Sequence, residues 1–250
     1  MSDLRGLVAL VTGGSRGIGA AASVALARAG ASVVVGYHTD RASAETVVRT
    51  ITGESLKAVS AQGDVGGLDG PRELVAAAVE NFGRLDIAVN CAGLGIWRDF
   101  LEISAEEWDR QFAVNARGMF LVCQEAAREM MKQGKGKIIN VTSITGQRAD
   151  PELLAYSASK AAAEMLTRGL AVALGPHNIT VNAVLPGTTA TDMNRANLAR
   201  PGVRSMLESR TPLGRLGAPD DMAGLIAFLA SAEADYMNGA CVVVDGGFLA

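Results

Sequence analysis

The chain has 250 residues, 49 % of them hydrophobic and 20 % charged, which is ample for a buried core and too apolar for a disordered chain. Its 29 glycines show no Gly-X-Y period, so collagen is excluded. The net charge of −3 and the scattered basic residues leave no footprint for a nucleic-acid backbone, and no nucleic-acid partner is expected.

Residues 1–6 lead directly into an apolar run with no sign of a leader peptide, so secretion is not expected. Residues 7–11 (LVALV) read as a strand buried on both faces of a parallel sheet. A turn over residues 12–17 precedes an Ala-rich helix at 18–29 closed by Gly30. A second strand at 32–35 and a helix at 41–52, ended by Gly53, follow. Next come a strand near 56–61, a helix at 72–82 and a strand at 86–90. Residues 106–132 read as one long helix, ended by Gly134 and Gly136. A fifth strand at 137–141, a helix at 153–174 ended by Gly175-Pro176, and a sixth strand at 179–185 come next. A loop and lid-like segment at 186–212 precedes a short helix at 220–230 and a last strand at 241–244.

Seven strands alternating with crossover helices predict an α/β fold: a single-domain, doubly wound (Rossmann-type), seven-stranded parallel sheet with helices on both faces. No linker or repeat divides it, so residues 1–250 read as one domain with a lid-like segment near 188–212. Cys91, Cys123 and Cys241 form no CxxC pattern, and His38 and His177 stand alone. Neither a disulfide framework nor a metal site is expected, and free thiols suit a cytoplasmic setting. No apolar run nears the ~18 residues of a membrane helix, so no membrane partner is expected.

Gly13, Gly17 and Gly19 form a Gly-x3-Gly-x-Gly run between the first strand and the first helix. Residues without a Cβ admit a pyrophosphate closely, and a helix N-terminus offers unpaired N–H groups and partial positive charge. Read with its neighbours, Thr12-Gly13-Gly14-Ser15-Arg16-Gly17-Ile18-Gly19 resembles the TGxxxGIG loop of the short-chain dehydrogenase/reductase family. The family's other blocks follow in order over essentially the whole chain: Asp64-Val65, Asn90-Cys91-Ala92-Gly93, Asn115, Ser143, Tyr156-x3-Lys160 and Pro186-Gly187. Cys91 departs from the pattern, standing where the family usually has a second asparagine, and is expected to be tolerated.

The resemblance implies an NAD(P)-dependent oxidoreductase that moves a hydride between a nicotinamide and an alcohol or carbonyl group. It assigns cofactor binding to Gly13, Ser15, Arg16, Gly17, Ile18 and Gly19, to Tyr37 and His38, and to Asp64 and Val65 beside the adenine. Asn90, Ala92 and Gly93 join them, and Pro186, Gly187, Thr189 and Thr191 are expected at the nicotinamide. An acid at the end of the second strand would repel a 2′-phosphate, but that position is Tyr37. Arg16 resembles the basic residue that NADP-preferring members set against the 2′-phosphate; His38 would assist and Asp40 would weaken the preference. NADP(H) is favoured, with NAD(H) tolerated.

Ser143, Tyr156, Lys160 and Asn115 are the implied catalytic residues. Tyr156 and Lys160, at i and i+4, share one helix face, and Ser143 lies just beyond a strand end, where open sheets place ligands. A free phenol titrates near ~10. A neighbouring ammonium favours the phenolate, so Tyr156 is expected to be acidified by Lys160 and to exchange a proton near neutrality. Lys160 is also implied to hold the nicotinamide ribose, Ser143 to donate to the substrate oxygen, and Asn115 to hold a relay water.

Gly95, Trp97, Ser143, Gln147, Leu153 and Tyr156 are expected to line the substrate pocket, a mixture that suits a hydroxylated small molecule. The C-terminal third resembles the family's sugar 1-dehydrogenases and also its 3-oxoacyl-carrier-protein reductases. Those reductases grip the carrier with arginines at two places where this chain has Gly134 and Val172, and Lys132, Lys135 and Lys137 could partly replace them. A sugar or small-carbonyl oxidoreductase is therefore expected, with a carrier-protein reductase as the alternative. A non-catalytic cofactor-binding regulator is the reading from another class, and the intact Ser143, Tyr156 and Lys160 speak against it. Met119, Met130, Met131 and Trp108 read as packing, and the resemblance implies a homotetramer built on the helices carrying Asn115 and Tyr156.

Overall fold

Alternate side chains of each strand feed opposite faces of one sheet, which is why the strands read as unbroken apolar runs. In a computed structural model, which describes residues 3–250, the strands are β1 (Val8–Thr12), β2 (Ser32–Tyr37), β3 (Ala58–Gln62), β4 (Ile87–Asn90), β5 (Gly136–Val141), β6 (Ile179–Pro186) and β7 (Cys241–Val244). Met1 and Ser2, the start of the expected leaderless lead-in, lie outside the described residues. All strand pairs are parallel, in the order β3-β2-β1-β4-β5-β6-β7.

The helices are α1 (Gly17–Arg28), α2 (Arg41–Gly53), α3 (Gly70–Phe82), α4 (Ala105–Phe112), α5 (Met119–Gln133), α6 (Leu154–Leu174), α7 (Arg195–Leu198), α8 (Val203–Arg210) and α9 (Pro219–Ala230). Ala9, Val11, Val33 and Val35 pack under Leu26, Ile51, Ile226 and Leu229 of α1, α2 and α9. Val8, Leu10, Val34 and Ala88 pack under Leu74, Met130 and Leu174 of α3, α5 and α6. Each of the Val, Leu, Ile and Met side chains contributes about 1.5–3 kcal/mol by leaving water. The sheet is thus doubly wound, as the alternating runs predict.

β1 pairs with both β2 and β4. The chain winds outward from β1 in one direction and returns to β4 on the other side. That reversal opens a crevice at the C-terminal ends of the two strands, with Thr12 level with Asn90.

Three expectations need correction. The single long helix is instead α4, a π-helical turn over Ala113–Gly118, and α5. Gly53 is the last helical residue of α2 rather than its stop; Ser55, at φ 62°, carries the left-handed turn. The segment at 186–212 is not plain loop, since it holds a 3-10 turn (Asp192–Asn194), α7 and α8.

Candidate active site

Thr12 ends β1, and its Oγ1 accepts the N–H groups of Cys91 and Ala92, both at 3.2 Å, tying the glycine loop to the segment after β4. A Cβ on Gly13, at φ +63°, would sit 2.8 Å from Ala92 Cα, and one on Gly19 would run into the Gly13 carbonyl. The loop can therefore be built only from glycine at these positions. It passes as bare backbone into the N-terminus of α1, forming part of the floor of a cavity of about 670 Å³ along the C-terminal ends of the strands. A long cleft with a glycine floor and a helix N-terminus fits an extended dinucleotide.

Gly13, Ser15, Arg16, Gly17, Ile18 and Gly19 line this cavity, as do Tyr37, His38, Asp64, Val65, Ala92 and Gly93. Arg16 is exposed and makes no ion pair among the described residues. Asp40 is occupied: its carboxylate accepts from Ser43 N at 3.0 Å and Ser43 Oγ at 2.7 Å, capping α2. Those two bonds, with Arg16 nearby, hold its pKa below the usual carboxylate range. His38 Nε2 lies 3.7 Å from an Asp64 carboxylate oxygen.

Asn90 departs from its expected place on the cofactor wall. Its side chain is buried within the sheet, where Nδ2 donates to Asn140 Oδ1 at 2.9 Å and to Cys123 Sγ at 3.2 Å. A buried amide needs such partners, and here they fix β4 to β5.

At the far end, the cavity is lined by Ser143, Tyr156 and Lys160 with Pro186, Gly187, Thr189 and Thr191. Ser143 Oγ accepts from Thr145 N at 3.1 Å and Thr145 Oγ1 at 2.9 Å. Lys160 Nζ lies 5.5 Å from the centroid of the Tyr156 ring and donates to the Val141 carbonyl at 3.0 Å.

The expected acidification of Tyr156 is reversed in sign. Burial pushes its phenol up to about 12, outweighing the downward pull of the Ser143 hydroxyl that faces it. Burial likewise pushes Lys160 down to about 8. Both groups have lost water, so each favours its neutral form.

Asn115 is fully buried and lies behind the wall rather than on it. Its Oδ1 accepts from Leu94 N at 2.8 Å, while Nδ2 donates to Leu94 O at 2.8 Å and to Ser159 Oγ at 3.0 Å. Ser159 Oγ in turn donates to the Tyr156 carbonyl at 2.7 Å. Asn115 therefore clamps the segment after β4 against α6. The π-helical turn brings it there, and Gly118 lets that turn press on the chain, since a Cβ there would collide with the Val65 carbonyl.

Gly95, Trp97 and Leu153 line the substrate end as expected, but Gln147 does not. Its Nε2 donates to Glu164 Oε2 at 2.9 Å, giving a partner to one oxygen of a carboxylate that is only 4 % exposed. Arg148, Met193, Asn197, Leu207 and Phe248 take part in the wall instead. Trp108 packs at the surface, 36 % exposed and stacked on Phe112 at 4.7 Å between ring centroids. Met119 and Met130 are buried, whereas Met131 is exposed.

A family model described as enoyl-(acyl carrier protein) reductase matches residues 13–249. The chain is 41 % identical over 248 residues to an L-rhamnose 1-dehydrogenase (NAD(P)(+)) of Sphingomonas sp. (strain SKA58), covering 99 % of this chain and 98 % of that protein. A protein of the same name from Azotobacter vinelandii is 44 % identical over 242 residues, covering 95 % and 94 %. Among solved structures, a gluconate 5-dehydrogenase from Burkholderia cenocepacia J2315 in complex with NADP and tartrate matches with a TM-score of 0.93 at 36 % identity, covering 99 % of this chain and 96 % of that one.

Proposed function

The chain belongs to the short-chain dehydrogenase/reductase family and is an NAD(P)(H)-dependent oxidoreductase, and from that premise we propose that it acts on a sugar-class substrate, with Tyr156 as acid–base group and NADP(H) as the preferred cofactor. The observation that carries this reading is the meeting of the Ser143 hydroxyl, the Tyr156 phenol and the Lys160 amine at one end of a cavity whose floor is the glycine loop.

Ser143, held by Thr145, donates to the substrate oxygen, and Tyr156 takes the proton from that oxygen in oxidation or returns it in reduction. When bound, the nicotinamide accepts or supplies the hydride and, oxidised, brings a positive charge that favours the phenolate. Lys160, fixed by the Val141 carbonyl, adds to that pull whenever it is protonated. Asn115 is a positioning residue that holds the Leu94 segment against α6. Arg16, exposed on the cavity wall, would hold the 2′-phosphate of NADP(H). Ser43 takes one acceptor site on each Asp40 oxygen, which weakens the competition of that carboxylate for ribose hydroxyls.

Residues 1–250 act as one dinucleotide-binding and catalytic domain, with the segment near 188–212 as a lid over Trp97 and Leu153. The names of the L-rhamnose 1-dehydrogenases support oxidation of an aldose at its first carbon. The carrier-protein alternative loses support because Lys132 and Lys137 are engaged by Glu129 and Asp235, at 2.7 and 2.6 Å. Exposed Phe120, Met131, Met165 and Val172 on α5 and α6 support a homotetramer. Three free cysteines support a cytoplasmic setting.

The test is a panel of aldoses, sugar acids, ketones and 3-oxoacyl thioesters assayed with both nucleotides. Reduction of NADP+ by a sugar is the expected result. Turnover restricted to 3-oxoacyl thioesters or simple ketones would overturn the sugar reading.

A further inference from the structure

One feature of the substrate end has no part in the chemistry described above. The Phe248 ring, which the C-terminal tail brings to the cavity wall, is met by two guanidinium groups, with Arg148 Cζ 5.0 Å and Arg210 Cζ 5.1 Å from its centroid. Arg148 and Phe248 line the cavity directly, and Arg210 ends α8, whose Leu207 also lines it. Neither arginine makes an ion pair among the described residues, the C-terminal carboxylate included.

Asp150 and Asp192, on the same wall, pair with neither arginine. Asp150 Oδ1 accepts the Glu152 N–H at 3.1 Å, capping a 3-10 turn, and Asp192 pairs with Arg195. Neither guanidinium therefore has a carboxylate within ion-pair distance among the described residues, and Arg148 stands on the wall of a pocket that opens onto Ser143 and Tyr156.

Stacking on an aromatic face satisfies the flat side of a guanidinium but none of its five N–H donors. It also fixes the orientation of the group, so less side-chain freedom is lost when a planar anion arrives. A guanidinium so held matches the two-oxygen edge of a carboxylate or phosphate. A neutral sugar gains nothing comparable from a pair of charges.

We propose that Arg148 and Arg210, braced on Phe248, form an anion clamp, and that the substrate is a hydroxylated sugar derivative carrying a carboxylate or a phosphate away from its reacting carbon. This deepens, and rests on, the sugar-class reading of the same cavity. It makes Arg148 and Arg210 specificity-determining groups that recognise charge without taking part in the redox step.

The test is calorimetric titration of the NADP+-loaded protein with glucuronate, galacturonate, glucose 6-phosphate and their neutral parent sugars, at low and high salt. At least one anionic sugar binds more tightly than its parent, and the advantage shrinks with salt. Arg148→Gln and Arg210→Gln each lower the anionic-to-neutral affinity ratio by roughly 10- to 100-fold, whereas Arg72→Gln, on the distant surface of α3, leaves the ratio as it was. The ranking of carboxylate against phosphate identifies the anion. Equal affinity for charged and neutral sugars, a ratio indifferent to both arginines, or failure of every anionic sugar to bind overturns the clamp. The two readings fail separately. Clamp-dependent binding without turnover by either nucleotide would sink the sugar-oxidation reading alone, and turnover of neutral sugars with no anion preference would sink the clamp alone.

Discussion

Lys160 Nζ lies 5.5 Å from the centre of the Tyr156 ring, and its hydrogen bond goes not to the phenol but to the Val141 carbonyl, at 3.0 Å. The pair thus shares a helix face and a cavity, while burial drives the two groups toward neutrality, the phenol up to about 12 and the amine down to about 8.

That pairing has a consequence for stability against pH. Between about 8 and its unfolded value of 10.5, Lys160 is protonated in the unfolded chain and neutral in the folded one. The unfolded state then binds more protons, so the unfolding free energy rises with pH across this window. Tyr156 acts oppositely between 10.0 and about 12, where the folded state keeps its proton and stability falls. Denaturant titrations of wild type and Lys160→Met from pH 7.5 to 10 isolate the lysine contribution. Wild type gains stability relative to the variant as pH rises; parallel curves would contradict the burial of the amine.

Arg16 provides a test of nucleotide choice. Arg16→Gln raises KM for NADP(H) roughly 10- to 100-fold, the range of a lost charge-assisted hydrogen bond, with a much smaller rise for NAD(H). Steady-state kinetics with both nucleotides checks this, and equal effects would remove the 2′-phosphate from Arg16.

The Asn115 side chain makes three hydrogen bonds from a fully buried position. Asn115→Ala leaves the Leu94 amide and carbonyl and the Ser159 hydroxyl short of a partner and destabilises the fold by about 2–4 kcal/mol. Chemical denaturation measures the loss. A change below about 0.5 kcal/mol, the level of an ordinary surface substitution, would show that the clamp on Leu94 carries no load.

Burial pushes the thiols of Cys91 and Cys123 up to about 12 each. Thiolate is the reactive form, so alkylation of the fully buried Cys123 at pH 8 in the native protein proceeds on the order of 100-fold or more slower than that of an unfolded control. Mass spectrometry of labelled peptides reads the rates. Rapid labelling of Cys123 would contradict its burial behind the sheet.

The architecture was legible because a strand buried on both faces reads as an unbroken apolar run, and all seven strands fall within two residues of their expected bounds. The glycine loop was legible because Gly13 and Gly19 answer a steric demand that no other residue meets. What escaped depends on contacts between distant segments. The π-helical turn is written in Gly118 against Val65 and in Asn115 against Leu94, not in the periodicity of 106–132. Gln147 is drawn off the pocket by the buried Glu164, and Asn90 by Asn140 and Cys123. Phe248 reaches the wall only because the tail folds back against Arg148 and Arg210, a placement with no local signal.

The acid–base assignment of Tyr156 is tested most directly by Tyr156→Phe, with nucleotide binding followed by fluorescence and turnover by reduced-nicotinamide absorbance on whichever substrate the wild type uses. The variant is expected to bind NADP(H) within a few-fold of wild type while kcat falls by roughly 100- to 10,000-fold, the range for loss of a general acid–base group. Retention of wild-type kcat would contradict the assignment.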